Sequence, residues 1–170
     1  MRLTSTLARR IELLVLDVDG VLTDGSLWFG ASGEQFKRFH ARDGHGVKLL
    51  QQAGVTVAVI SGRRSRAVAA RCRELGIAHV FQGAANKSAV FDRLLTKLQL
   101  TADRAACIGD DTPDIPLMLR VAFAVAVRDA HPLACAAADR ITTLPGGTGA
   151  VREVCDWLLH ARGAAARTAS

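Results

Sequence analysis

Asp17 and Asp19 stand two residues apart, directly after the apolar run Ile11–Leu16 and just before Gly20. In extended backbone, residues i and i+2 point to the same face, so the two carboxylates are presented together. Carboxylates that close repel one another. Their pKa values separate, which suits one to attack as a nucleophile while the other handles a proton. Further along, Gly109 is followed by Asp110 and Asp111, with Asp114 one helical turn later. Mg2+ takes hard oxygen ligands, commonly one or two carboxylates completed by water and substrate phosphate. Asp17 and Asp110 are ligands of that kind, with Asp111 and Asp114 placed to support them from behind. Ser61 and Gly62 close a second apolar run where a helix is about to start, which offers a hydroxyl and backbone N–H groups to a phosphate. Lys87 adds a point charge for a phosphoryl oxygen, although a first-turn lysine taken alone reads better as solvated.

These residues need a scaffold that brings them together. Residues 11–16, 55–60, 77–81, 104–108 and 121–127 read as short buried strands, being apolar runs that end abruptly in polar residues. Between and after them, residues 46–52, 65–75, 87–98, 113–120 and 151–159 carry helical periodicity. The 113–120 segment opens on a proline at an early helical position, where its missing N–H is harmless. Strands alternating with helices predict an α/β fold, a Rossmann-like parallel sheet with helices on both faces. Such sheets bind ligands outside the carboxyl ends of their strands, and three of these ends carry DVDG, SGR and GDD.

One segment breaks the alternation. Between Gly25 and His40 lie Trp28, Phe29, Phe36 and Phe39, half of the aromatic residues of a chain with two Trp, six Phe and no Tyr. They flank the turn signal Gly30-Ala31-Ser32-Gly33, so the reading is an inserted β-hairpin, and its aromatic content suggests a protein–protein contact. The Ala/Arg-rich segment 161–170 is expected to be a mobile tail.

The 170 residues suit a single domain, and at 49% hydrophobic and 22% charged they are ordinary for a globular protein. The longest uninterrupted apolar run, Val121–Val127, is far short of the roughly 18 residues of a membrane span. No secretory h-region precedes Asp17, so a soluble cytoplasmic protein is expected. The net charge of +6 suits an anionic small substrate as well as nucleic acid. No basic block with interleaved aromatics accompanies it, and the arginines between Arg63 and Arg73 read as the solvated face of a helix, so no nucleic-acid partner is expected. Cys72, Cys107, Cys135 and Cys155 form no C-x-x-C pair, and the five histidines show no metal spacing.

Taken in order, DVDGVLTD, SGR, a lysine and GDDTPD resemble the haloacid dehalogenase superfamily of aspartate-nucleophile phosphatases, over roughly residues 11–160. The resemblance implies that Asp17 attacks phosphorus to give an aspartyl-phosphate. Asp19 would protonate the leaving alkoxide and then deprotonate the hydrolytic water, while Ser61, Gly62 and Lys87 hold phosphoryl oxygens. Mg2+ would be held by the Asp17 and Asp110 carboxylates and the Asp19 carbonyl. The chain has no room for the cap domain of many members.

Within the superfamily the sequence is similar to the 3-deoxy-D-manno-octulosonate 8-phosphate (KDO 8-phosphate) phosphatases, through DVDGVLTDG at 17–25, the aromatic hairpin, RDGHG at 42–46, DAHP at 129–132 and GGTGAVREVCDWLL at 146–159. That likeness implies a phosphorylated sugar acid as substrate, a step of lipopolysaccharide precursor synthesis, and a capless homotetramer whose neighbouring subunits complete each site. Arg42, Asp43 and His45 would lie near the sugar acid, in a loop, with Arg42 suited to its carboxylate. Thr148 stands where this likeness leads one to expect arginine. A phosphatase for a nine-carbon 2-keto acid 9-phosphate (2-keto-3-deoxynonulosonate or an N-acylneuraminate) shares the motifs. A non-catalytic regulatory module of the same fold is the third reading, and the intact set Asp17, Asp19, Ser61, Lys87 and Asp110 stands against it.

Overall fold

The computed structural model describes residues 3–31 and 33–163. Its centre is a six-stranded, fully parallel sheet built from β1 (Leu13–Leu16), β4 (Thr56–Ser61), β5 (His79–Gln82), β6 (Ala105–Gly109), β7 (Phe123–Ala126) and β8 (Arg140–Ile141). Two further strands, β2 (Trp28–Gly30) and β3 (Gly33–Phe36), pair with each other as an antiparallel hairpin. The helices are α1 (Ser5–Arg10), α2 (Ala41–Gln52), α3 (Arg66–Glu74), α4 (Lys87–Leu98), α5 (Ile115–Met118), α6 (Pro132–Ala137) and α7 (Ala150–Ala161). The five strands expected from apolar runs are all present, with ends shifted by a residue or two.

The order across the sheet is β5-β4-β1-β6-β7-β8. The chain therefore winds outward from β1 to one edge, returns, and winds outward on the other side. That reversal opens a crevice at the carboxyl ends of β1 and β6, where folds of this kind bind ligands.

Strand residues alternate strictly between two apolar layers. Leu14, Leu16, Val57, Val59, Ala106 and Ile108 join the layer that contains Val47 and Leu50 of α2, Val68 of α3 and Val151, Val154 and Leu158 of α7. Leu13, Val15, Ala58, Ile60, Ala105 and Cys107 join the layer with Phe91 and Leu94 of α4, Leu117 of α5 and Ala134 of α6. With both faces covered, β1 is buried at every residue.

Two expectations are corrected here. The Arg42-Asp43-Gly44-His45 stretch is not a loop but the opening of α2, which starts at Ala41, before the expected start at residue 46. Its glycines lower helix propensity by about 1 kcal/mol each relative to alanine, yet they let the helix approach its neighbours. A Cβ on Gly44 would lie 2.2 Å from Arg71 Nη2, and one on Gly46 would lie 2.8 Å from Arg152 Cδ. The first residues of the expected mobile tail, 161–163, are instead held in the fold. Helix α7 runs through Ala161, and the Arg162 guanidinium donates to the Ala8 and Ile11 carbonyls at 2.9 and 2.8 Å and to the Ala53 carbonyl at 3.3 Å. The rest of that segment, 164–170, lies outside the described residues.

The hairpin carries its aromatic face outward. Trp28, Phe29 and Phe36 are 57%, 63% and 62% exposed, with Trp28 and Phe36 rings 6.3 Å apart and tilted. Phe39 instead turns inward and packs on the core layer beneath α2. Among the described residues no helix is long and apolar enough to cross a membrane.

Candidate active site

Strand β1 ends at Leu16 and delivers Asp17, whose side chain is buried. Asp17 Oδ1 accepts from Lys87 Nζ at 2.7 Å, and the same ammonium donates to Asp114 Oδ1 at 2.7 Å. Lys87 is the first residue of α4, and the N-cap Asn86, whose side chain accepts from Ala89 N, fixes where that helix starts. The other oxygen of Asp114 accepts from the Asp110 and Asp111 N–H groups at 3.0 and 3.3 Å. Both Asp114 oxygens are thus engaged, and the residue orients Lys87 and the turn after β6.

One carboxylate oxygen from each of Asp17, Asp110 and Asp114 lies within 4.8 Å of the other two. Burial, first, and repulsion from Asp17 and Asp114, second, push Asp110 up to about 8. Burial, only partly offset by Lys87, pushes Asp17 up to about 6. A group of acids raised in this way is short of positive charge, and a divalent cation would supply it. The donors are all oxygen, which fits magnesium and not the nitrogen and sulfur preference of zinc. With both Asp114 oxygens engaged, Asp17 and Asp110 are the carboxylates that would hold it.

Gly20 is required by its surroundings. Its φ is +94°, and a Cβ there would lie 2.0 Å from Asp110 Oδ2, so the loop after β1 lies directly against the acid from β6. Residues 145–149 brace that loop from the other side. Gly147 N donates to the Val21 carbonyl at 2.9 Å, and Gly146 N donates to Asp129 Oδ1 at 2.9 Å. A Cβ on Gly146 would lie 1.6 Å from Gly20 O, and one on Gly147, at φ +63°, would lie 2.3 Å from the carbonyl carbon of Thr23. The GGTG segment therefore meets the loop after β1 through backbone contact, and the Asp129 side chain of DAHP holds that segment in place. Thr148, in the same segment, turns its hydroxyl onto Pro145 O at 2.6 Å.

The remaining residues singled out from sequence divide. Ser61 is buried at the end of β4, its Oγ accepting from Arg63 N at 3.3 Å, and Gly62 is exposed beside it. Asp19 is ion-paired with Lys37 and lies 4.0 Å from Arg63 Nε. Asp111 is exposed, and its side chain accepts from Thr112 N at 2.7 Å, so it shapes the turn. Asp43 is withdrawn from any substrate: it is buried and accepts from Gly149 N and Arg152 N at 3.2 and 2.8 Å. It caps the first turn of α7 across the helix–helix contact, where a carboxylate satisfies free N–H groups and opposes the dipole. His45 is exposed on α2. Arg42, also exposed, lines a cavity of about 370 Å3 with Thr143, Gly149, Arg152, Asp156 and Trp157. Neither is brought to the Asp17 cluster.

Lys37 was not foreseen, and nothing in its local sequence marks it, because its burial depends on how the hairpin folds back. The direct part that Asp114 takes in the cluster was foreseeable, since a residue four positions after Asp110 on a helical turn returns to the same side.

Comparison with known proteins agrees with this geometry. Residues 73–152 match the family of haloacid dehalogenase-like hydrolases. The chain is 49% identical over 158 residues to the 3-deoxy-D-manno-octulosonate 8-phosphate phosphatase KdsC of Salmonella typhi, covering 93% of this chain and 84% of the relative. The crystal structure of the 3-deoxy-D-manno-octulosonate 8-phosphate phosphatase from Yersinia pestis superposes with a TM-score of 0.91 at 43% identity, covering 95% of this chain and 87% of that one. The Moraxella catarrhalis enzyme, solved with magnesium, phosphate and KDO, gives 0.90 at 39% identity over 94% and 91% of the two chains. With its acid cluster at the β1/β6 crevice and that extent of identity, the chain belongs to the KDO 8-phosphate phosphatase family of haloacid dehalogenase-like hydrolases, and is a phosphoric monoester hydrolase.

Proposed function

We propose that the chain hydrolyses KDO 8-phosphate to the free sugar acid and inorganic phosphate through an aspartyl-phosphate on Asp17. One observation carries the reading: a buried carboxylate at the β1/β6 crevice, held at one oxygen by Lys87 Nζ at 2.7 Å and set beside Asp110. With Oδ1 so held, Oδ2 is the atom left to attack phosphorus. As the P–O bond to the sugar breaks, its electron pair goes to the leaving oxygen, which takes a proton from Asp19. Asp19 then removes a proton from the water that attacks the aspartyl-phosphate. The P–O bond to Asp17 breaks and the carboxylate is restored.

The Ser61 hydroxyl accepts from Arg63 N and keeps its own proton to donate to a phosphoryl oxygen, while Lys87 supplies positive charge opposite. Magnesium, held by Asp17, Asp110 and the Asp19 carbonyl, would neutralise charge on the transferring group. By the family likeness, Arg42 on the exposed first turn of α2 is the guanidinium we assign to the carboxylate of the sugar acid, although it lies outside the Asp17 cluster of its own chain. His45, one turn on, stands on the same exposed side.

The exposed Trp28, Phe29 and Phe36 support a homotetramer in which hairpins of different copies cover one another, and 1–170 is read as one domain. The four cysteines are all free thiols, which suits the reducing cytoplasm. The test is phosphate release from KDO 8-phosphate and glucose 6-phosphate with magnesium present. We expect a large preference for the acid sugar. Equal specificity constants would overturn the substrate assignment and leave a general phosphatase.

A further inference from the structure

Lys37 directly follows β3 and is the point where the hairpin reaches the reaction site. Its side chain is 0% exposed and its ammonium is paired with the Asp19 carboxylate. Its neighbour Arg38 points the other way, 63% exposed and paired with Asp24 at 2.9 Å. A lysine ammonium is buried only where partners compensate its lost hydration, and the Asp19 carboxylate is one such partner. A second cation near Asp19 also involves the hairpin. Arg63 Nε is 4.0 Å from Asp19 Oδ2, and the Arg63 guanidinium lies over the ring of Phe29 at 5.9 Å. The Asp19 carboxylate is thus met by Lys37 from just after β3 and by Arg63 from just after β4, the latter also meeting Phe29 of β2.

We propose that Lys37 is a positioning residue for the reaction. It holds the Asp19 carboxyl at the rotamer from which a proton reaches the leaving oxygen, and so makes proton delivery depend on the hairpin being seated. The inference rests on the reading of Asp19 as the group that protonates that oxygen. Proton transfer needs heavy atoms within about 2.6–3.2 Å, and a carboxyl released from Lys37 is free to rotate away from that reach.

A leaving group that needs no proton separates this role from a purely structural one. The full chain with magnesium is assayed for kcat/KM on KDO 8-phosphate, which expels an alkoxide, and on p-nitrophenyl phosphate, which expels a stable anion. Loss of a charge-assisted contact predicts that Lys37→Met falls about 10- to 100-fold on KDO 8-phosphate and changes by under about threefold on the aryl ester. Lys37→Arg, which keeps the cation, should recover most of the loss. Asp19→Asn is the control for the underlying reading: it should lower KDO 8-phosphate further than the aryl ester, whose turnover it also slows because Asp19 activates the hydrolytic water. If Asp19→Asn lowers both substrates equally, that reading is wrong and the proposal goes with it. If Asp19→Asn splits them while Lys37→Met lowers both equally, or neither, the positioning role alone is overturned. Should Lys37→Met lose its circular-dichroism signature of folding, Lys37→Gln, which keeps hydrogen-bond donors without the charge, is measured for the same ratio and judged in the same way.

Discussion

Lys87→Met removes the ammonium that bridges Asp17 and Asp114, at 2.7 Å from each, among side chains 9%, 9% and 7% exposed. Methionine retains most of the apolar stem, so the change is one of charge and hydrogen bonding. Breaking a buried pair by deleting one partner costs about 3–5 kcal/mol. Here two carboxylates lose their partner together, and Asp110 already faces both. Protonation of the acids limits the penalty, which places it near the middle of that range. At about 2–4 °C per kcal/mol for a chain of this size, the midpoint of thermal unfolding should fall by roughly 8–16 °C. The loss should be large at pH 8 without metal. It should shrink at pH 5, where Asp17, with its pKa near 6, and Asp110, near 8, carry protons in the folded protein. Differential scanning calorimetry of the metal-free protein at the two pH values reads this directly. An unchanged midpoint at pH 8, or an equal drop at pH 5, would refute the view that Lys87 offsets a buried excess of negative charge.

The same raised acids predict a pH dependence in the wild type. Asp17 and Asp110 bind protons more tightly folded than unfolded, so without metal the midpoint should fall as pH rises from about 4 to 8; saturating magnesium should flatten the fall, and a metal-free midpoint that climbs over that window would contradict the assignment. Asp17→Asn should abolish phosphate release, and a chelator should do the same to the wild type until magnesium is restored; turnover persisting in either sample would rule out the covalent, metal-dependent route. Replacing Trp28 and Phe29 by serine should shift the assembly measured by light scattering toward smaller species with unchanged circular dichroism, whereas a monomeric wild type at micromolar concentration would exclude the proposed contact. Arg42→Ala should narrow the preference for KDO 8-phosphate over glucose 6-phosphate by about 10- to 150-fold, and an unaltered ratio would show that another group reads the carboxylate.

The strands were legible because a parallel strand buried on both faces has little choice but a continuous apolar run, and because acids such as Asp17 and Asp110 are tolerated only where that run leaves the sheet. Helix starts were less legible. RDGHG reads as a loop by propensity, and only the approach of Gly46 to Arg152 and of Gly44 to Arg71 explains why a helix forms there. Asp43 looked like a binding residue for the same reason: its partners Gly149 and Arg152 are more than 100 residues away in the chain. Arg162 was hidden by its Ala/Arg-rich surroundings, although its guanidinium ties the end of α7 to the carbonyls of Ala8, Ile11 and Ala53. Lys37 escaped because a lysine beside an aromatic hairpin carries no mark of its direction. In each case the missing information is tertiary: which distant backbone or carboxylate completes the group.

The backbone-to-backbone seam between Gly20 and Gly146–Gly147 has a consequence for how variation in this protein is interpreted. With 1.6 Å between a Cβ on Gly146 and Gly20 O, and positive φ at Gly20 and Gly147, no other residue fits without parting the two loops. A saturation screen scored by activity would therefore rank these glycines with Asp17 as intolerant, although none of them offers a side chain to the substrate. Abundance separates the two groups: variants of Asp17 should accumulate as folded, inactive protein, while variants at the seam should be depleted before chemistry is ever tested. Naturally occurring substitutions at Gly20, Gly146 or Gly147 should thus be classed as defects of folding, and compensation for them sought in the facing loop.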